Sequence, residues 1–127
     1  MQNYLDATRE QFMAFLQLPV DKPLHMLNLL KFKDQVEEAG ISGKEQYEIY
    51  IKAATPHIEK AGAKVIYYGI PQFTLIGPEE ETLWDELLIV EYANKEVFVN
   101  MVTAKDYPAD LRKMALADSR LVFCVAK

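Results

Sequence analysis

One cysteine, Cys124, is too few for an intrachain disulfide or a cysteine-based zinc site. Two histidines, His25 and His57, stand far apart and form no His-x-His pair, so no dedicated metal site is expected. Basic residues are in the minority. Fourteen Lys and Arg stand against nineteen Asp and Glu, a net charge of −5. That balance argues against nucleic acid as the main partner, because phosphate binding wants clustered Lys and Arg. It also gives no pull toward an anionic membrane surface. No apolar run approaches ~18 residues, so nothing reads as membrane-spanning. The five glycines make no phosphate-binding fingerprint. No repeat or low-complexity tract breaks the chain. The opening Met1–Asp6 carries neither a basic n-region nor an apolar h-region, so no secretory signal is expected and a cytoplasmic location is the default.

What is present is ordinary for a globular protein: 127 residues, 50% hydrophobic and 26% charged, expected to form a single domain over 1–127 with a real core. Thr8-Arg9-Glu10-Gln11 fits a capping box, and Phe12, Phe15 and Leu16 share one face of the short helix that follows. Pro19 and Pro23 end it. Leu24 to Phe32 reads as a buried strand. Lys33 to Gly43 is a polar loop that ends in a second capping box, Ser42-Gly43-Lys44-Glu45. The long helix after it runs to about Ala61, with Gly62 as its left-handed stop and Pro56 expected to kink it. Lys64 to Gly69 is the second strand, with Gln72 to Ile76 expected to continue it. Leu83 to Tyr92 is the third strand. Asn94 can cap a helix with Val97, Phe98, Met101 and Val102 on its apolar face. Another helix starts near Pro108, and Ser119 to Lys127 is the last strand.

After the N-terminal helix the order is β-α-β-β-α-β, with the second helix split in two. That is the ferredoxin-like plan: an α+β fold with a four-stranded antiparallel sheet and helices on one face. Both parities of the third strand are apolar, Leu88 and Val90 on one and Leu87 and Ile89 on the other. A sheet apolar on both faces in so small a chain calls for a partner. The expected assembly is an isologous homodimer with two sheets face to face, a dimeric α/β barrel.

Met26-Leu27-Asn28-Leu29-Leu30-Lys31-Phe32 resembles the first-strand signature of the domain of unknown function 1330 family. Further marks follow in the family's order: Tyr47-Glu48-Ile49-Tyr50, Gly62, Trp84-Asp85, Tyr107 with Arg112, and Ala117-Asp118-Ser119-Arg120-Leu121. The resemblance spans about residues 8 to 124. It implies a ferredoxin-like subunit in a dimeric α/β barrel and no established reaction. Wider relatives with this barrel include cofactor-free oxygenases and isomerases, and some bind haem; extending those activities to this chain is analogy from fold. One departure is Gly62-Ala63, where many members have two glycines.

The residue that draws most attention is Asn28, an amide inside an apolar strand. Left without partners there it costs roughly 1–3 kcal/mol. It either bonds nearby backbone or faces a pocket and orients a substrate carbonyl or hydroxyl. His57 has the pKa range of a general base, set against a packed or surface histidine. Tyr50 lies on its stripe of the long helix, seven residues before it. Trp84 walls a pocket or packs across the dimer; Asp85 is a base or a sheet-end partner for Lys or Arg. Tyr107 plugs the barrel end or supplies a hydroxyl. Arg112, one of three arginines, is a natural carboxylate clamp, or an ion-pair partner for Asp110, Asp118 or Glu91. Cys124 has no base beside it in sequence and reads as a packed thiol.

Two functions compete. The first is a cofactor-independent oxygenase- or isomerase-like enzyme acting on a small organic acid or aromatic substrate. Asn28 and His57 would be its catalytic residues, and Tyr50, Trp84, Tyr107 and Arg112 would bind the substrate. The second is a non-catalytic dimeric binding or scaffold protein. No cofactor is expected. Haem, with His57 as its best proximal candidate, is tested by a Soret shift on titration.

Overall fold

The central strand is the apolar run around Asn28. In the computed structural model, which describes residues 2–19 and 22–127, β1 (Leu24–Phe32) alternates buried and half-buried positions along its length. It pairs antiparallel with β3 (Glu86–Tyr92) on one side and β4 (Leu116–Val125) on the other. β2 (Lys64–Gly69) pairs antiparallel with β3 at the sheet's edge, giving the order β2-β3-β1-β4. Four helices complete the chain: α1 (Arg9–Gln17), α2 (Gly43–Lys60), α3 (Lys95–Val102) and α4 (Ala109–Ala115). This is the ferredoxin-like arrangement with one added N-terminal helix.

Local chemistry explains the element ends. Thr8 and Gln11 form the reciprocal capping box at α1. Lys95 then ties that helix down, its ammonium donating to the carbonyls of Phe15, Leu16 and Leu18. At α2 only half of the expected box forms. Ser42 Oγ accepts from the Glu45 N–H, and the Glu45 carboxylate takes the Ser42 hydroxyl instead of reaching back to backbone. Gly43 is required there, because a Cβ would collide with the Lys33 backbone at 2.3 Å. Gly62 takes a positive φ of 69° and stops the helix as expected. Pro56 lies within α2, which runs through it as one element; Thr55 Oγ1 donates to the Ile51 carbonyl.

Three expected boundaries move. The third strand starts at Glu86, not Leu83, because Asp85 does a different job: its N–H donates to the Leu30 carbonyl and its carboxylate accepts from the Phe32 N–H and from Lys31. Gln72 to Ile76 is not a strand. Pro71 lacks a donor, and β3 ends at the level of Gly69, which pairs with Leu87, so no ladder is available beyond it. The last strand begins earlier, at Leu116, because a register shift after Lys31 lets Phe32 pair with it.

The two faces of the sheet differ. Leu24, Met26, Asn28 and Leu30 of β1 point to the helices, with Leu88, Val90 and Tyr92 of β3. There Leu24, Met26, Phe98 and Met101 make one core cluster and Leu30, Tyr47, Ala54 and Leu116 make another. The opposite face carries the half-buried Leu27, Leu29, Leu87 and Ile89, with the exposed Tyr67 and Val122 beside them. A compact monomer of 14.6 kDa exposes roughly 6,900 Å². This chain exposes 8838 Å².

The N-terminal segment is latched to the start of β4. The Tyr4 N–H donates to Asp118 Oδ1 at 2.8 Å, Ser119 Oγ donates to the Tyr4 carbonyl, and Arg120 pairs with Asp118 while stacking on the Tyr4 and Trp84 rings. Burial raises the Asp118 pKa, but the hydrogen bonds from Tyr4, Arg120 and Ser119 outweigh it and hold the carboxyl below its ordinary 3.8. A depressed folded-state pKa contributes stability above the ordinary value and loses it as pH falls through the lowered one. The Tyr4 amide should therefore lose its protection against hydrogen exchange, relative to its intrinsic rate, on acidification below that range. Asp118→Ala should reproduce the loss at neutral pH.

Candidate functional site

Asn28 bonds nearby backbone, as the first of its sequence readings has it. Its Nδ2 donates to the carbonyls of Met26 and Leu88, each at 3.3 Å, which pins the amide to the sheet. Its Oδ1 is then turned toward the helices, where it accepts from Arg112 Nη2 at 3.3 Å. Strand parity supplies the direction and α4 supplies the guanidinium.

Arg112 has no ion pair among the described residues. Each carboxylate that the sequence offered it is engaged elsewhere: Asp110 with Lys113 at 3.8 Å, Asp118 with Arg120 at 2.8 Å, Glu91 with His25 at 3.0 Å. Asn28 takes one of the five guanidinium donors. No buried side-chain N or O among the described residues lacks a partner, so the guanidinium nitrogens without a bond reach accessible space. A half-buried cation with spare donors and no counter-ion among the described residues can donate to an anion.

Tyrosines surround it. Tyr47 and Tyr50 project from α2, and Tyr107 comes from the turn before α4. The Tyr50 and Tyr107 hydroxyls hydrogen-bond to each other. The rings of Phe32, Tyr47, Tyr50, Tyr107 and His57 form a continuous chain with centroid separations of 5.3–6.3 Å. Tyr92 adds a fourth phenol from β3. Burial pushes the pKa of Tyr47 up, and the Arg112 charge offsets part of that rise. Burial likewise raises Tyr50, Tyr92 and Tyr107. These four hydroxyls stay protonated at neutral pH and act as neutral donors. Glu86, on the same sheet face, accepts from the Tyr68 hydroxyl at 2.6 Å and raises Tyr68, after burial.

Of the residues singled out from sequence, Asn28, Tyr50, Tyr107 and Arg112 come together here. His57 sits at the margin. Its ring meets Tyr107 edge-on at 5.5 Å and its Nε2 is 4.0 Å from Asp106, which is solvent-exposed. Trp84 is elsewhere, its ring against Arg120 at the end of the other sheet face. Tyr92 and Glu86 went unnoticed, although they alternate with Leu88 and Val90 and so share the face of Asn28. Cys124 lies on β4 directly across from His25, so a base stands beside it in space, though not in sequence. Both line a shallow apolar hollow of about 300 Å³ with Leu27, Ile66, Ile89 and Val125, on the face away from the helices.

Asn28→Leu removes both carbonyl contacts and the acceptor that holds Arg112. It should destabilise the fold by about 1–3 kcal/mol, read as a lowered urea midpoint with an unchanged slope.

The chain is similar to a protein of unknown function from Rhodopseudomonas palustris, at 32% identity and a TM-score of 0.88 over 97% of this chain and 96% of that one. A dimeric protein of unknown function with a ferredoxin-like fold from Bacteroides fragilis matches at 15% identity and a TM-score of 0.51, over 80% and 94%. A dabb family protein with a ferredoxin-like fold from Mesorhizobium loti matches at 12% identity and a TM-score of 0.54, over 83% and 97%. No family model and no curated protein matches.

Proposed function

This chain belongs to the same family as the Rhodopseudomonas palustris protein of unknown function, and from that premise we propose that it is a homodimeric subunit whose helix-side cluster binds a small organic acid. The observation that carries the proposal is the absence of any carboxylate partner for Arg112 among the described residues. In this reading the guanidinium takes the ligand's carboxylate, and Asn28 holds the guanidinium at its angle. The hydroxyl of Tyr47, and whichever of Tyr50 and Tyr107 accepts in their shared hydrogen bond, donate to the ligand's remaining oxygens, while the three rings form an apolar wall suited to an aromatic or short aliphatic skeleton. The first-strand signature supports assigning the family to domain of unknown function 1330.

The donor set suits chemistry in which negative charge builds on oxygen beside the carboxylate, as in an enolising isomerase or a cofactor-free oxygenase. In such chemistry His57, whose ring meets Tyr107 at the margin of the cluster, would be the general base. A second reading, binding without turnover, is favoured by one observation: the His57 Nε2 lies 4.0 Å from the exposed Asp106.

Thermal unfolding against matched pairs, each a carboxylic acid and its primary amide on one skeleton, tests the proposal. An acid present at 100 times its Kd adds about 2.7 kcal/mol to the folded state. That should raise the midpoint by roughly 10 °C at this chain length. The amides should leave it unmoved. Equal shifts for acid and amide contradict a guanidinium clamp.

A further inference from the structure

Between Gly69 and Glu86 the chain has no regular structure, and it displays its apolar residues outward. Phe73, Leu75 and Ile76 are 79%, 85% and 93% exposed, and Ile70 is largely exposed as well. Isolated apolar side chains on a surface are ordinary, but four large ones within seven residues are not. The segment has few internal bonds, among them Gln72 Nε2 to the Ile70 carbonyl. It ends at Gly77-Pro78, after which Glu79, Glu80 and Glu81 stay in water.

We propose that residues 70–77 are an arm that buries itself on a second copy of this chain. The area identifies the occupant. The chain exposes roughly 1,900 Å² more than a compact monomer of its mass. A standard interface takes only about 800 Å² from each partner. The open sheet face supplies part of that surplus, because Ile66, Tyr67 and Val122 stand about half exposed beside the half-buried Leu27, Leu29, Leu87 and Ile89. The arm supplies side chains that are almost wholly bare. It is also continuous with that face: it leaves from Gly69, which pairs with Leu87, which pairs in turn with Leu29. An isologous pair uses the same surface twice, so one contact covers the face and the arm of both copies. The acidic run beyond Gly77 bounds the arm and discourages edge-to-edge stacking of further copies.

The inference rests on the homodimer reading above, and two measurements separate the two. The first is sedimentation equilibrium of the full chain and of Phe73→Ser/Leu75→Ser/Ile76→Ser. The wild type should be dimeric at micromolar concentration, and the triple variant should dissociate at least 100-fold more readily with an unchanged far-UV spectrum. The second is hydrogen exchange of wild-type residues 70–77, which should be slow in the dimer and speed up on dilution; it decides the matter if the triple variant fails to fold. A triple variant as tightly dimeric as wild type, or an arm that exchanges freely within the dimer, overturns the arm and leaves the homodimer standing. A monomeric wild type overturns both.

Discussion

Arg112→Met is expected to abolish acid binding while the protein stays folded. The guanidinium gives the fold one long hydrogen bond, to Asn28, and no ion pair among the described residues. Methionine keeps most of the stem's packing on α4 and removes the charge. Losing charge-assisted donors to a carboxylate in a half-buried site weakens binding by roughly 2–5 kcal/mol, about 30- to 4,000-fold. Arg112→Lys should recover only part of this, because an ammonium cannot present the parallel donors of a planar guanidinium. Asn28→Asp gives a sharper outcome. It places a carboxylate 3.3 Å from the guanidinium, satisfies it internally, and should block acid ligands as thoroughly as Arg112→Met, at the cost of a lower urea midpoint, because an oxygen then faces the Met26 and Leu88 carbonyls that Nδ2 bonds. Calorimetric titration of the three variants with one acid, beside their urea midpoints, checks the set.

The second large effect is expected from Leu87→Lys. Leu87 stands on the open face of β3, across from Leu29, on the parity opposite to Leu88 and the helix-side cores. In a monomer a lysine there can reach water, so the fold should lose little. In a face-to-face dimer the ammonium has no carboxylate to meet among Leu27, Leu29 and Ile89. An uncompensated buried charge costs roughly 3–5 kcal/mol, counted twice in an isologous pair. The wild type should sediment at twice the chain mass of 14.6 kDa, and the variant at the chain mass across the micromolar range. Acid binding by the variant then reports whether the helix-side cluster works within one subunit.

Much of this architecture was legible in the residues. The bounds of β1 and of α1 followed from an apolar run and a capping box, which are local signals. Strand parity put Asn28 on one face with Met26, Leu30 and Phe32 but left open whether that face met the helices or the dimer partner. The stripe of Tyr50 and His57 followed from helical spacing, but His57 stands at the margin, where its neighbour Asp106 comes from another element. The freedom of Arg112 was not legible. Three carboxylates were equally available to it in sequence, and only the fold gives Asp118 to Arg120, Glu91 to His25 and Asp110 to Lys113. Trp84 was given a pocket wall or a contact across the dimer because it was expected to open β3. Asp85 instead bonds the end of β1, β3 starts later, and the indole goes to Arg120. The run from Gln72 to Ile76 has the composition of a strand, but a strand needs a neighbour, and sequence does not say that β3 has already ended.

The most direct measurement of the central claim is the difference density of a bromine-labelled aromatic acid soaked into crystals of this protein. Its carboxylate is expected against Arg112 and its ring among Tyr47, Tyr50 and Tyr107, on the helix side of the sheet. Bromine in the hollow beside His25 and Ile89, with the Arg112 side unoccupied at saturating acid, would contradict it.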